Sequence, residues 1–143
     1  MKAYLSRRYR ISASHRLHSE AFSPEENRAV YGKCNNPHGH GHNYMIEVTV
    51  GGPVDARTGM ICDLTELDGC VRRHVIEPFD QTNLNLSGEF SGAVPTTENL
   101  CRAIYDLIAG SLTGASLERV RIEETSNNFF EYSGREEHGL SDR

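Results

Sequence analysis

The chain has 143 residues, of which 37% are hydrophobic and 24% are charged, and its formal net charge is −5 with histidine neutral. This length predicts a single domain over residues 1–143, and the composition predicts a packed core rather than wholesale disorder. The acidic balance argues against a general binder of nucleic acids or acidic membranes, because such proteins gain affinity mostly by neutralising phosphates.

Three features of the chain bear on its compartment. No apolar run approaches the roughly 18–20 residues that span a bilayer, and the opening MKAYLSRRYRIS is basic without the apolar stretch of a signal peptide. Four cysteines occur without a Cys-x-x-Cys pair, and without a secretory signal they do not predict a disulfide framework. We therefore expect a soluble, cytoplasmic protein.

The first predicted elements are a strand and a short helix. Residues 3–14 mix apolar and polar side chains, with clean alternation from Tyr9 onward, which indicates a strand. Residues 19–30 predict a short helix or ordered loop, with Ser23 as its cap and Pro24 at the first helical position.

A hairpin and a further helix are predicted next. Residues 42–50 place alternate apolar residues on one face of a strand, and the Gly- and Pro-rich turn after it leads to a predicted short strand at residues 60–63. Residues 42–63 are therefore expected to form an antiparallel hairpin. Pro78 is expected to end the following helix, whose apolar residues at helical spacing are Leu64, Leu67, Val71 and Val75.

The last part of the chain predicts a helix and a second hairpin. Residues 79–95 are loop-like, and Thr96 can cap the helix that follows. Residues 117–125 and 128–133 predict two paired strands, and residues 134–143 predict a polar, flexible tail. Helices between hairpins at both ends predict an α+β fold with an antiparallel sheet.

Histidines at alternate positions mark the strongest candidate site. In the segment GKCNNPHGHGHNY an extended backbone would project His38, His40 and His42 to one side. Neutral imidazole is a common zinc ligand, and catalytic zinc usually keeps three protein ligands and one open position. Two imidazoles that lie two residues apart on a strand can reach one metal ion, but they do not complete such a site. The candidates for the third ligand are His15, His18, His38 and Cys34.

Cys34 has two possible roles beside such a metal. As a ligand it would close the site and make it structural. As a free thiol next to the metal it would be a base or a nucleophile, because a nearby cation favours the thiolate form. Spacing along the chain does not separate these two roles.

Three acidic residues are further candidates. Glu124 continues the apolar strand face of Val120 and Ile122. It is therefore either a solvated residue at a fraying strand end or a carboxylate that accepts paired N–H bonds from a guanidine-like group. Glu98 lies early in the last predicted helix, where the helix dipole alone would explain it. Asp80 lies in a loop and on its own predicts a turn former.

Short segments along the chain occur in the order found in one known family. Between about Tyr9 and Tyr132 these segments are SASH (12–15), EEN (25–27), GKCNNPHGHGHNY (32–44), TGM (58–60), FDQTNLN (79–85), TTEN (96–99) and ETSNN (124–128). In this order they resemble the 6-pyruvoyltetrahydropterin synthase family. The gap from Cys34 to His40 resembles its pyruvoyl-forming branch, because the related 6-carboxytetrahydropterin synthases typically have a shorter gap there.

The resemblance implies a fold and a reaction. The implied tunnelling fold is a four-stranded antiparallel sheet with two helices on one side, and subunits join their sheets into a barrel. Trimers, and hexamers of two stacked trimers, are implied, with active sites at subunit interfaces. The implied enzyme is a phosphorus-oxygen lyase of tetrahydrobiopterin biosynthesis that converts 7,8-dihydroneopterin triphosphate to 6-pyruvoyl-tetrahydropterin and triphosphate.

The resemblance also implies roles for individual residues. The implied Zn²⁺ ligands are His15, His40 and His42, with Cys34 as the catalytic base. The implied pterin-binding residues are Glu124, Glu98 and Thr97. The chemistry agrees with these roles, because a Lewis-acidic zinc and a nearby thiolate favour proton abstraction beside an oxygen.

One position departs from the family pattern. The family usually has Asp-His where this chain has Asp80 and Gln81, and glutamine cannot take up a proton at neutral pH. We expect catalysis to persist with Asp80 and Cys34 dominant, at a reduced rate or with an altered product. His38, where relatives often have asparagine, is the residue that could supply an imidazole instead.

Three alternatives stay open on the sequence. The same site could form 6-carboxytetrahydropterin or cleave the side chain to a 6-hydroxymethylpterin. Gln81 could mark lost chemistry in a zinc- and pterin-binding protein, and the remaining alternative is a zinc-structured domain without a pterin. The cations that could meet the triphosphate are Arg7, Arg8, Arg10, Arg16, Arg28 and Lys33.

Overall fold

The computed structural model describes residues 1–134, which form an α+β fold. Its elements in chain order are β1 (Lys2–His15), α1 (Pro24–Tyr31), β2 (His40–Pro53), α2 (Leu64–Val71), α3 (Glu77–Phe79), β3 (Thr82–Asn83), α4 (Thr97–Ala109), β4 (Ser116–Thr125) and β5 (Asn128–Tyr132). The predicted tail from residue 135 onward lies outside the described residues. No helix within residues 1–134 is long and apolar enough to cross a membrane.

All the strands belong to one sheet in the order β3-β1-β2-β4-β5. The four long strands are antiparallel neighbours, as predicted. The structure adds a fifth strand, β3, whose two residues run parallel to β1 and pair Thr82 with Ala13. The α+β prediction is confirmed, but the sheet is mixed rather than purely antiparallel, because β3 runs parallel to its neighbour β1.

The predicted hairpin is wrong in its second arm, residues 60–63, which form no strand. β2 pairs instead with β1 and β4. Asp55 closes a tight loop by donating its N–H to the carbonyl oxygen of Met60 at 2.9 Å. Asp63 then caps α2 by accepting the N–H of Thr65 at 2.8 Å. A helix start with this capping residue therefore takes the place of the predicted strand.

The helix boundaries follow the capping signals in one case and depart from them in another. Ser23 caps α1, and its side chain and that of Glu26 each accept a backbone N–H from the other residue, which confirms the prediction. The helix that was predicted to end at Pro78 ends one residue later. α2 continues through a π-helical turn, Arg72–Ile76, into α3, which contains Pro78 and ends at Phe79.

One face of the sheet packs against the helices, and this face holds the core. Its buried side chains include Ile11 of β1, Ile46 of β2 and Ile122 of β4. Helix α4, which Thr96 caps as predicted, packs its buried Ile104 into the same cluster. Because successive strand residues alternate between faces, every second residue beyond these positions also points to the helix side.

A hydrogen-bonded ion pair ties β1 to α2. Arg7 donates two bonds to the Asp68 carboxylate, at 2.7 and 3.0 Å, and the Tyr9 hydroxyl donates a third at 2.7 Å. These bonds from Arg7 and Tyr9 favour the charged form and hold the pKa of the Asp68 carboxyl below its usual value.

The substitution Asp68→Asn should lower the free energy of unfolding by about 1 kcal/mol at neutral pH, a modest loss because the Arg7 and Asp68 side chains are 42% and 37% exposed. Because the pKa of Asp68 is lower in the folded than in the unfolded chain, the ion pair contributes its full stability above the unfolded-state pKa of about 3.9. This stability is lost as the pH falls through the folded-state pKa. Urea unfolding of both chains at neutral and acidic pH checks this.

The matched control is Asp106→Asn, which removes an exposed carboxylate from α4. It should change stability little at either pH. A difference between the Asp68 variant and the parent chain that persists unchanged in acid would contradict the assigned role of the ion pair.

Candidate functional site

Three histidines converge where β1 and β2 pair. His15 faces His40 across the β1–β2 ladder, and His42 follows on the same face of β2. The Nε2 atoms of His15 and His40 lie 3.1 Å apart, and one ring nitrogen of each histidine lies within 4.8 Å of the others. The three imidazoles are therefore positioned to bind one metal ion.

His15 is held in a defined tautomer. Its side chain is buried, and Nδ1 lies 2.8 Å from the carbonyl oxygen of Pro95. A carbonyl oxygen only accepts, so Nδ1 carries the proton and Nε2 presents its lone pair to the other histidines. Burial lowers the pKa of His15 and of His40, and neighbouring imidazoles act in the same direction. Both effects favour the neutral rings that a metal requires.

Glu124 stands beside the histidines on β4. Its Oε2 atom lies 3.5 Å from Nε2 of His42 and 4.0 Å from Nε2 of His15. The Thr97 hydroxyl donates to the same oxygen at 2.7 Å, and the Asn128 amide donates to the other oxygen at 3.2 Å. The Glu124 side chain is 17% exposed, so it is not the solvated end of a fraying strand.

Cys34 lies on a 3-10 turn, Gly32–Asn35, directly after α1. Its side chain is half-buried, and its carbonyl oxygen accepts the N–H of Leu17 at 2.8 Å. The turn therefore lies against the chain that leaves β1 just after His15. Within the described residues the metal-binding cluster holds the three histidines and not Cys34, which favours a free thiol over a fourth ligand.

The other two histidines considered as ligands, His18 and His38, lie outside the cluster. The prediction that His38 shares a face with the alternate histidines is wrong, because the extended strand begins only at His40. Gly39, with a φ of 74°, interrupts the extended backbone before it. A Cβ atom at Gly39 would lie 3.0 Å from the carbonyl oxygen of His15, so the close approach of these segments requires glycine.

Asp80 and Gln81 dock on the outer edge of β1. An Asp80 carboxylate oxygen accepts the N–H of Ser12 at 2.8 Å, and the Gln81 N–H donates to the carbonyl oxygen of Ser12 at 2.6 Å. Gln81 has a φ of 63°, which is uncommon for a residue other than glycine. Gln81 and His42 line one cavity of about 450 Å³. Within residues 1–134, no hydrogen bond joins either residue to Cys34.

The structure adds residues that the sequence pattern did not indicate. The Pro95 carbonyl and the Asn128 amide orient His15 and Glu124. Asn128 belongs to the ETSNN segment, so the sequence offered a signal for this residue. The contact of Pro95 uses its backbone carbonyl, which leaves no mark in a sequence. Glu98 is exposed in the first turn of α4, where its interaction with the helix dipole remains a sufficient explanation.

Comparison with known proteins places the chain in a family. The family model for 6-pyruvoyl tetrahydropterin synthase matches residues 4–135. The 6-pyruvoyl tetrahydrobiopterin synthase of Poecilia reticulata is 47% identical over 132 residues, covering 92% of this chain and 90% of the relative. The human protein of that name is 43% identical over 134 residues, covering 93% of this chain and 92% of the relative.

A solved structure gives the same result. The Caenorhabditis elegans 6-pyruvoyl tetrahydropterin synthase superposes with a TM-score of 0.90 at 37% sequence identity, covering 94% of this chain and 97% of that protein. The resemblance inferred from the ordered segments is therefore confirmed, and the chain belongs to the 6-pyruvoyl tetrahydropterin synthase family.

Proposed function

We propose that this chain is a zinc-dependent lyase that converts 7,8-dihydroneopterin triphosphate to 6-pyruvoyl-tetrahydropterin with elimination of triphosphate. The observation that carries the proposal is the placement of three imidazoles and the Glu124 carboxylate together on one face of the sheet. A single domain over residues 1–143 and a cytoplasmic location stay predictions.

The donor set of the histidine cluster fits zinc. Three neutral imidazoles are suitable zinc ligands, and a set of three leaves a position for substrate. The hydrogen bond from Nδ1 of His15 to the carbonyl of Pro95 is the kind of contact that orients a ligating histidine. When bound, zinc would supply Lewis-acid polarisation of the substrate side-chain oxygens, which makes adjacent C–H protons more acidic.

Cys34 is the proposed base. Its turn packs against the chain just after His15, so the thiol belongs to the same region without being part of the ligand cluster. The thiolate would remove a proton from a side-chain carbon next to an oxygen. Oxidation and reduction of the side chain are then internal to the substrate, so no redox cofactor is required.

Glu124 is the proposed anchor for the pterin ring. A carboxylate has about four acceptor sites, and Thr97 and Asn128 occupy one on each oxygen. The remaining sites can accept the paired N–H donors of a 2-amino-4-oxo pterin edge. Glu98, on the same helix turn as Thr97, is proposed to assist at the outer side of this edge.

Asp80 and Gln81 are proposed to act in an assembly of several copies. They lie at the β1 edge of the sheet, where β3 pairs with only two residues of β1. At the other edge, the outer side of β5 has no strand partner within the described residues. Sheets joined through such edges would form the barrel of a trimer, and two trimers a hexamer. Active sites would then lie at subunit interfaces.

Gln81 restricts the proton transfers available at such an interface. Its amide can orient a group or a water but cannot accept a proton at neutral pH. We propose that Cys34 and Asp80 dominate catalysis, at a reduced rate or with an altered product. Whether the exposed His38 compensates stays a prediction.

Product identification tests the proposed function directly. Incubating the zinc-loaded chain with 7,8-dihydroneopterin triphosphate should give 6-pyruvoyl-tetrahydropterin and triphosphate, identified by mass spectrometry. The substitution Cys34→Ala should lower kcat by about 100-fold or more, because a general base contributes about 100- to 10,000-fold. Its zinc content should not change.

The control is Cys62→Ala, which removes another half-buried thiol and should leave turnover intact. A 6-carboxy or 6-hydroxymethyl product would assign the chain to one of the alternative reactions. Recovery of unchanged substrate, or full turnover by the Cys34 variant, would contradict the proposed catalysis.

The substitution Glu124→Gln should raise the dissociation constant for 7,8-dihydroneopterin by about 10- to 100-fold, because an NH₂ group then opposes a pterin N–H donor. Fluorescence titration measures the constant, and zinc content should be retained. Glu123→Gln is the matched control, since Glu123 is exposed on the opposite face of the same strand. Equal effects of the two substitutions would refute the anchor.

The substitution His40→Ala should lower zinc affinity by about 100-fold or more, because it removes a ligand rather than a supporting contact. Elemental analysis and competition with a chelator measure this. His38→Ala is the control, since it removes a nearby exposed imidazole outside the cluster. Full zinc retention by the His40 variant would contradict the three-histidine site.

A further inference from the structure

A group of cations beside the Cys34 turn has no role in the site described above. Arg16, Arg28 and Lys33 line one cavity of about 440 Å³, and its other lining residues are neutral. Glu25 reaches Arg28 from outside the cavity at 3.8 Å, in an exposed pair that contributes little. In a chain with a net charge of −5 this is a local excess of positive charge.

The chain connects this cavity to both halves of the proposed site. Arg16 directly follows His15, and its Nε atom donates to the carbonyl oxygen of Asn35 at 3.0 Å. Lys33 directly precedes Cys34. One wall of the cavity therefore continues from a proposed metal ligand, and the facing wall continues from the thiol.

The order of the strands gives a direction from the pterin anchor to the cavity. Glu124 lies on β4, β2 carries two of the histidines, and β1 ends at His15 just before Arg16. The backbones of adjacent strands lie about 4.8 Å apart, so the backbone of β4 lies roughly 10 Å from that of β1, with β2 between them. The proposed substrate has the same order of parts: a pterin, a short oxygenated chain and a triphosphate.

The other cations considered for this role are engaged elsewhere or face the wrong side. Arg7 makes two bonds to Asp68. Arg8 and Arg10 lie within β1 at an odd number of residues from His15, so they project from the face of the sheet opposite to His15, whereas Arg16 follows the end of the strand. Arg8 also pairs with a carboxylate of β2 at 3.3 Å. This leaves the three cations of the cavity.

We infer that the cavity lined by Arg16, Arg28 and Lys33 is the subsite for the triphosphate group, an inference that rests on the proposed function. Guanidinium groups bind phosphate oxygens in pairs, and a lysine adds a mobile point charge. With its Nε atom held by a backbone carbonyl, Arg16 presents its terminal nitrogens in a fixed direction. The same cations would stabilise the charge that develops on triphosphate as it leaves.

The test uses Arg28→Gln and Lys33→Gln in the zinc-loaded protein, because both side chains are exposed and the chain should fold without them. Each substitution should lower kcat/KM for the triphosphate substrate about tenfold, through loss of a charge-assisted hydrogen bond. Calorimetric binding of inorganic tripolyphosphate should weaken by a similar factor. The dissociation constant for unphosphorylated 7,8-dihydroneopterin should stay unchanged.

Arg57→Gln is the matched control, because it removes an exposed cation from the loop after β2. Variants that behave like this control, or that lose affinity for 7,8-dihydroneopterin and tripolyphosphate equally, would overturn the subsite. If the parent chain forms no pterin product, the proposed function fails, and the tripolyphosphate titrations still decide the subsite. If product forms but Arg28→Gln and Lys33→Gln are silent, only the subsite fails.

Discussion

The pairing of β1 with β2 is the constraint on which both the core and the candidate site depend. In this register His15 faces His40, and further along the same ladder Ile11 faces Tyr44. A slip of one residue would turn every buried side chain of one strand to the polar face and would carry its histidines out of the cluster. The apolar alternation that stabilises the sheet therefore also sets the ligand geometry.

The site forms where the apolar face of the sheet gives way to polar side chains. Polar groups at such a position are costly to bury unless they are hydrogen-bonded. His15 obtains its partner from Pro95, and Glu124 obtains partners from Thr97 and Asn128. Pro95 and Thr97 at the start of α4, and Asn128 at the start of β5, therefore supply the hydrogen bonds that orient the polar groups at this end of the sheet.

The distribution of charge matters more for function than its sum. A net charge of −5 argues against a general partner such as nucleic acid, yet it does not exclude a small polyanion. Arg28 and Lys33 lie together beside the Cys34 turn, while Arg8 and Arg119 pair with carboxylates on the opposite face of the sheet. A local cationic cavity can attract an anionic group even on an acidic protein, because nearby charges dominate the field there.

The sequence by itself determined the features that depend on neighbouring residues. Alternation defined the long strands, and Ser23 and Thr96 marked the starts of α1 and α4. The same period placed His40 and His42 on one face, and placed Glu124 on the face that became buried. Each of these inferences uses residues only a few positions apart, which is the range over which backbone geometry and capping operate.

Only the tertiary structure decided what depends on contacts between distant segments. Residue spacing left four candidates for the third ligand, and strand pairing brings His15, the one that the family resemblance implied, to His40. Residues 60–63 form no strand, because β2 pairs with β1 and β4 instead. The tertiary structure also gave Asp80 and Gln81 their contacts with Ser12. The local pattern could not settle these points, because the distance between remote residues follows from the sheet register and not from their spacing in the chain.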